Sequence, residues 1–190
     1  MSFLGGISVK FQEEFYPYEI VERQEFQIGR INVVKDTIKI GDNLYPYTFT
    51  RTKQSVCVFP VCEKGVVAIW QYRHSINKWV LEVPAGGVDI GEMKVDAAKR
   101  ELMEETGYVV DEMIDLGEYL ENEGISSSYC QLYFARCHYK QQPNREETEL
   151  IETRIIPFDE FERMIKSNQF HLIIGIVAWY RARENKLIDY

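Results

Sequence analysis

Three glutamates carry the chemistry most readily read from this chain. Glu101, Glu104 and Glu105 stand at i, i+3 and i+4 in a stretch that reads as helix. Relative to Glu101, the other two project at about −60° and about +40° around the helix axis, so all three share one narrow stripe. Val95, Ala98 and Leu102 form an apolar stripe beside it, which places the acidic stripe at the edge of the core. Carboxylates packed this closely repel one another and call for a cation. An oxygen-only donor set suits a hard divalent ion, Mg²⁺ or Mn²⁺. Arg100, four residues before Glu104, can buffer the cluster when no metal is bound.

A helix beginning near Glu92 and ending near Thr106 must position these acids, with Gly107 placed to stop it. Before it, Ser55–Val61 and Val66–Tyr72 read as strands joined by a Glu-Lys-Gly turn. Trp79–Val83 is a third strand, halted by Pro84 and followed by a glycine-containing loop, Ala85–Gly91. After it, Asp115–Tyr119, Gln131–His138 and the end of Glu147–Ile156 read as strands, and Phe158–Ser167 and about His171–Asn185 as helices. Residues 19–50 alternate as short strands with a turn at Gly41-Asp42-Asn43. This order predicts an α/β fold, a mixed sheet layered with helices.

The 190 residues fit one domain with an appended element. Residues 1–50 read as an N-terminal β extension and 51–190 as the domain that carries the acids. At 45% hydrophobic and 27% charged the chain is ordinary globular material, not a disordered or repeat sequence. A net charge of −8 without a basic cluster argues against a nucleic-acid partner. The longest apolar run, Leu172–Tyr180, is far shorter than the ~20 residues a membrane span needs, and Met1–Lys10 lacks the pattern of a signal peptide. Cys57, Cys62, Cys130 and Cys137 form no CxxC pair and lie in apolar runs, which suggests buried free thiols in a reducing, cytoplasmic setting. His74, His138 and His171 are too scattered to share a site.

From Gly86 the chain reads GGVDIGEMKVDAAKRELMEETGY: Gly86, five residues, Glu92, seven residues, then Arg100-Glu101-Leu102-Met103-Glu104-Glu105-Thr106-Gly107-Tyr108. This resembles the signature box of the Nudix hydrolases, G-x5-E-x7-R-E-U-x-E-E-x-G-U with U apolar, and matches every fixed position. Such a match arises by chance roughly once in ten million chains of this length. Gln71-Tyr72-Arg73 and Leu81-Glu82-Val83-Pro84-Ala85-Gly86 are similar to elements of the branch that hydrolyses ADP-ribose and other nucleoside diphosphate sugars.

The resemblance implies a Nudix α/β/α sandwich and Mg²⁺-dependent hydrolysis of a nucleotide-sugar pyrophosphate, giving a nucleoside monophosphate and a sugar phosphate. It implies Ala85, through its carbonyl, and Glu101, Glu104 and Glu105 as metal ligands. Gly86, Glu92, Arg100 and Gly107 take structural roles. Glu149 is expected as general base, with Glu147 second and Glu105 also catalytic; Arg73, Glu82 and Arg51 are expected to contact substrate. A homodimer formed through the N-terminal region, rich in aromatics such as Phe26, Tyr45 and Tyr47, is a further expectation. The chain departs from the branch at Glu121–Ser128, which lacks the proline usual in that loop. That departure leaves other nucleoside diphosphate sugars open, and the competing readings are a hydrolase of other nucleoside diphosphate derivatives or dinucleotides, or a catalytically silent nucleotide sensor.

Overall fold

A computed structural model describes residues 18–145 and 148–188, divided between two compact units with the boundary between Arg51 and Thr52. In the first, three antiparallel strands, β1 (Glu19–Ile28), β2 (Ile31–Ile40) and β3 (Asn43–Arg51), form a sheet in the order β1-β2-β3. These are long strands of nine or ten residues rather than the short ones expected. On β2, Val34, Asp36 and Ile38 alternate as buried positions. Arg23 binds Asp36 through two parallel bonds, both 2.7 Å. That fork holds the Asp36 carboxyl below its ordinary range.

The second unit is built on a seven-stranded mixed sheet: β4 (Ser55–Cys62), β5 (Gly65–Arg73), β6 (Lys78–Glu82), β7 (Ala85–Gly87), β8 (Tyr108–Leu120), β9 (Tyr129–Tyr139) and β10 (Ile151–Ile156). Its main path runs β10-β5-β4-β9-β8, with β6 on β5 and β7 on β4; β4 and β9 are parallel and the other pairs antiparallel. Helix α1 (Lys94–Thr106) covers one face, where Ala97, Ala98 and Leu102 meet Val56, Val58, Val67 and Ala135. Helices α2 (Phe158–Lys166) and α3 (Ile173–Glu184) cover the other, where Phe161, Phe170 and Trp179 meet Cys57, Phe59 and Phe134. This is the expected α/β/α sandwich. It also explains the unbroken apolar run of β4, whose odd and even residues are buried on opposite faces.

Most boundaries differ from the sequence reading by a residue or two, and some by more. Helix α1 starts at Lys94, because a turn at Asp89–Glu92 precedes it: the Glu92 amide donates to the Asp89 carbonyl at 3.0 Å and Gly91 adopts φ 83°. The loop expected over Ala85–Gly91 opens as strand β7. Strand β8 begins at Tyr108, well before Asp115; irregularities at Val110/Glu112 and Asp115/Gly117 interrupt its alternation and hid its first half. Strand β9 extends one or two residues beyond each end of the expected Gln131–His138. Among the thiols, all free, Cys62 is half-buried rather than buried.

Gly107 ends α1 in the left-handed region at φ 76°, its amide donating to the Met103 carbonyl at 2.8 Å. A Cβ there would lie 1.9 Å from the Gln141 carbonyl oxygen. Gly107→Ala should therefore cost more than the ~1–2 kcal/mol of left-handed strain alone. Urea unfolding checks this, and an unchanged midpoint would show that the backbone relaxes freely there.

Candidate active site

The platform is built where β7 pairs with the start of β4, through Val56↔Gly86 and Cys57↔Ala85, beneath α1. Gly86 lies against Glu101: a Cβ at this position would sit 2.0 Å from the Glu101 carboxylate carbon. At Gly87 a Cβ would meet nothing within 4 Å. The three glutamates are graded by depth rather than equally placed. Glu104 keeps 36% of its side chain exposed and Glu101 15%, while Glu105 as a residue is only 3% exposed.

Among the described residues Glu105 receives only a long bond, 3.3 Å, from the Ala85 amide. Burial first, then the nearby charges of Glu101 and Glu149, push its carboxyl well above the ordinary range. Glu101 is also pushed up, chiefly by burial and against the pull of Arg100.

Arg100 is the hub of the box. It donates to both Glu92 oxygens (2.9 and 3.0 Å), to the Gly87 carbonyl (2.9 Å), to Glu101 (2.7 Å) and to Glu104 (3.1 Å). Glu92 also accepts from the Asp89 amide at 3.0 Å. Arg100 first and that amide second hold the Glu92 carboxyl down at about 2. Glu92 thus braces the loop ahead of α1, and Arg100 ties loop to helix.

Arg73 and Glu82, read separately in the sequence, form one pair across β5 and β6. Arg73 donates to the two Glu82 oxygens at 2.8 and 2.5 Å, with the Glu82 side chain 7% exposed and that of Arg73 42%. Gln71, on the same face of β5 as Arg73, is buried, and its side-chain oxygen has no hydrogen-bond partner among the described residues. Glu149 is half-buried just before β10, and its charge acts on Arg73 as well as on Glu101 and Glu105. Arg51 ends β3, where it donates to Glu25 at 2.7 Å. Glu147 lies outside the described residues. His74, His138 and His171 are exposed, and His138 lies 2.8 Å from Asp111.

One contributor was missed. Arg145 donates to the Glu105 carbonyl at 2.9 Å and to the Thr153 hydroxyl at 2.8 Å. Nothing local marks it, because its helix partner is forty residues away in sequence.

The residues fit a divalent cation. Every side-chain donor on the platform is a carboxylate oxygen, and Glu105 is buried with its charge poorly compensated. With Arg100 bonded between Glu101 and Glu104, no three acidic, imidazole or thiol groups among the described residues converge closely enough to form a metal cluster on their own.

The model of the NUDIX domain matches residues 51–174. A methanol dehydrogenase activator of Bacillus methanolicus is 31% identical over 118 residues, 61% of this chain and 64% of that protein. An ADP-ribose pyrophosphatase of Bacillus subtilis (strain 168) is 24% identical over 120 residues, 62% of this chain and 65% of that protein. The chain thus spans just under two thirds of these two relatives. A CMP-5'-(N-acetyl-N-hydroxy-3-aminopropyl)phosphonate hydrolase of Streptomyces rubellomurinus (strain ATCC 31215) is 31% identical over 137 residues, 72% of this chain and 66% of that protein. The crystal structure of an ADP compounds hydrolase superposes with a TM-score of 0.78 at 19% identity, covering 90% of this chain and 95% of that one, and so shares the fold. With the family model spanning most of the chain over the same box that builds the platform, the chain belongs to the Nudix family.

Proposed function

We propose that this protein hydrolyses the pyrophosphate bond of ADP-ribose or another nucleoside diphosphate sugar, releasing a nucleoside monophosphate and a sugar phosphate. The observation that carries this reading is the buried, electrostatically strained Glu105, with the charges of Glu101 and Glu149 acting on it. Mg²⁺, or Mn²⁺ in its place, held by the Ala85 carbonyl and by Glu101, Glu104 and Glu105, would neutralise the diphosphate and open its phosphorus to attack. The chain's residues do the rest. Arg73 has two nitrogens committed to Glu82, and Nη1, unbonded among the described residues, would donate to a phosphate oxygen. Glu149 takes the proton from the attacking water as its oxygen bonds to phosphorus and the anhydride P–O bond breaks. Glu92 and Arg100 hold the loop, and Arg51 is a further candidate for substrate contact.

The CMP-linked substrate in the name of one relative supports a wider range of nucleoside diphosphate derivatives or dinucleotides as the second reading. The deciding experiment offers ADP-ribose, GDP-mannose, UDP-sugars, diadenosine polyphosphates and nucleoside triphosphates with Mg²⁺ or Mn²⁺ and measures nucleotide release. A nucleotide sugar should be cleaved at least about tenfold more efficiently than any triphosphate, a difference of ~1.4 kcal/mol in transition-state binding. Preference for dinucleotides favours the second reading; binding without cleavage makes the protein a silent sensor and ends the first.

A homodimer through the N-terminal sheet accompanies this reading. Phe26, Ile28, Ile31, Ile40, Leu44 and Tyr45 are all at least 46% exposed there, an unusual concentration of apolar surface. Light scattering should return twice the 22.4 kDa chain mass; the monomer mass would remove the dimer. The free thiols support a cytoplasmic setting. Among the described residues no helix is long and apolar enough to cross a membrane.

A further inference from the structure

The end of α1 is capped from a distance. An α-helix leaves its last four carbonyls without helical partners, and the negative end of its dipole favours a cation nearby. Here the Asn144 amide donates to the Glu104 carbonyl at 2.9 Å, and Arg145 Nε donates to the Glu105 carbonyl at 2.9 Å. Just past the helix, the amides of Lys140 and Gln141 donate to the Gly107 carbonyl at 3.0 and 3.2 Å. The segment after β9 therefore closes over the helix end that bears the acids.

Arg145 does more than cap. Its Nη2 donates to the Thr153 hydroxyl on β10 at 2.8 Å, so one planar side chain joins the helix to a strand. Further along, the Leu150 carbonyl accepts from the Tyr72 amide of β5 at 3.0 Å. Glu149 lies between these two fastenings, one residue from the second and four from the first. It is half-buried there, directly ahead of the carbonyl that fastens the chain to β5.

We propose that Arg145 is a positioning residue: by clamping the end of α1 to β10 it fixes the strand entrance that carries Glu149 relative to the acid-bearing helix. The inference rests on the hydrolase reading, with Glu149 as general base, and deepens it. The arrangement is specific in what it requires. A lysine keeps the charge but cannot hold both partners with a planar fork, and a glutamine keeps neither charge nor reach.

The test is a double-mutant cycle in the full-length protein, assayed on the best substrate of the panel. Arg145→Gln should lower kcat by about 10- to 100-fold, the usual effect of removing a partner that orients a catalytic group, while KM moves less than about twofold. Arg145→Lys should recover part of that loss. In a Glu149→Gln background, Arg145→Gln should reduce kcat by less than about twofold more, because the residue it positions is already disabled. Equal losses in both backgrounds, or no loss in either, overturn the proposal. Should Arg145→Gln fail to fold, Thr153→Val removes the strand-side bond of Arg145, together with the long 3.5 Å bond from the Thr153 hydroxyl to the Glu105 carbonyl, and must show a smaller loss with the same dependence on Glu149.

A readout independent of turnover separates this inference from the hydrolase reading. In Arg145→Gln, amide hydrogen exchange at Lys140, Gln141 and Asn144 should accelerate at least about tenfold, while Val58 and Phe59 in the core stay protected. Unchanged exchange overturns the clamp even if the enzyme is active. Accelerated exchange in a chain that hydrolyses nothing keeps the clamp and removes the hydrolase reading.

Discussion

Glu105→Gln should reduce nucleotide-sugar hydrolysis by about 100-fold or more while making the metal-free protein more resistant to heat. The loss of activity follows from position. Substitution of groups that merely orient metal ligands costs about 10- to 100-fold, and Glu105 is assigned as a ligand itself. The gain in stability follows from burial. Glu105 is a nearly inaccessible carboxyl group whose only hydrogen bond among the described residues is the long one from Ala85, and any charge it carries is disfavoured first by burial and then by Glu101 and Glu149. A glutamine of the same shape carries no charge into that position.

The pH dependence distinguishes this account from general surface repair. Burial and like charge raise the folded carboxyl above its ordinary value of 4.5, so between that value and the folded one the native state binds more protons than the unfolded chain. The contribution of Glu105 to the stability of the metal-free protein must therefore fall as pH rises above 4.5. The advantage of Glu105→Gln should be absent below pH 4.5 and widen above it. Glu92 acts with the opposite sign: its carboxyl is held at about 2, and the stability it lends is present above 4.5 and fades as pH drops toward 2. Thermal melts in EDTA across pH 4 to 8 check both trends. Adding Mg²⁺ should raise the wild-type midpoint and leave that of Glu105→Gln nearly unmoved. Equal Mg²⁺ shifts in the two proteins would show that Glu105 holds no metal.

Local pattern made the sandwich legible. Strand β4 announced itself because both its faces are buried, and α1 because Ala98 and Leu102 recur at helical spacing before a terminal glycine. Strand β8 was only half visible, since two irregularities break its alternation. The site was legible as a set of residue types and illegible as geometry. Helical angles put three glutamates on one stripe, but only the packing of α1 on β4 and β7 decides that Glu105 is deep and Glu104 open. Arg73 and Glu82 were separate candidates because their partnership depends on the β5–β6 register, and Arg145 was silent because its bonds close loops of eight and forty residues.

Gly86→Ala should abolish most activity while barely unsettling the fold, and Gly87→Ala should do neither. Of these two neighbours only Gly86 lies against the helix. Its added Cβ would fall 2.0 Å from the Glu101 carboxylate carbon and 2.2 and 2.4 Å from the oxygens, so the carboxylate must leave. Because the obstructing atoms are the tip of a flexible side chain, the fold adapts by giving up the 2.7 Å bond from Arg100, a loss of about 1–3 kcal/mol. Function has no such latitude, since the displaced oxygens are those assigned to the metal. We expect a thermal midpoint lowered by a few degrees and turnover lowered by about 100-fold or more. Glu101→Asp draws the carboxylate back by one methylene. The double variant Gly86→Ala/Glu101→Asp should therefore retain more activity than the product of the two single losses predicts. If the losses multiply instead, the glycine acts through the backbone of β7 and the contact with Glu101 is incidental.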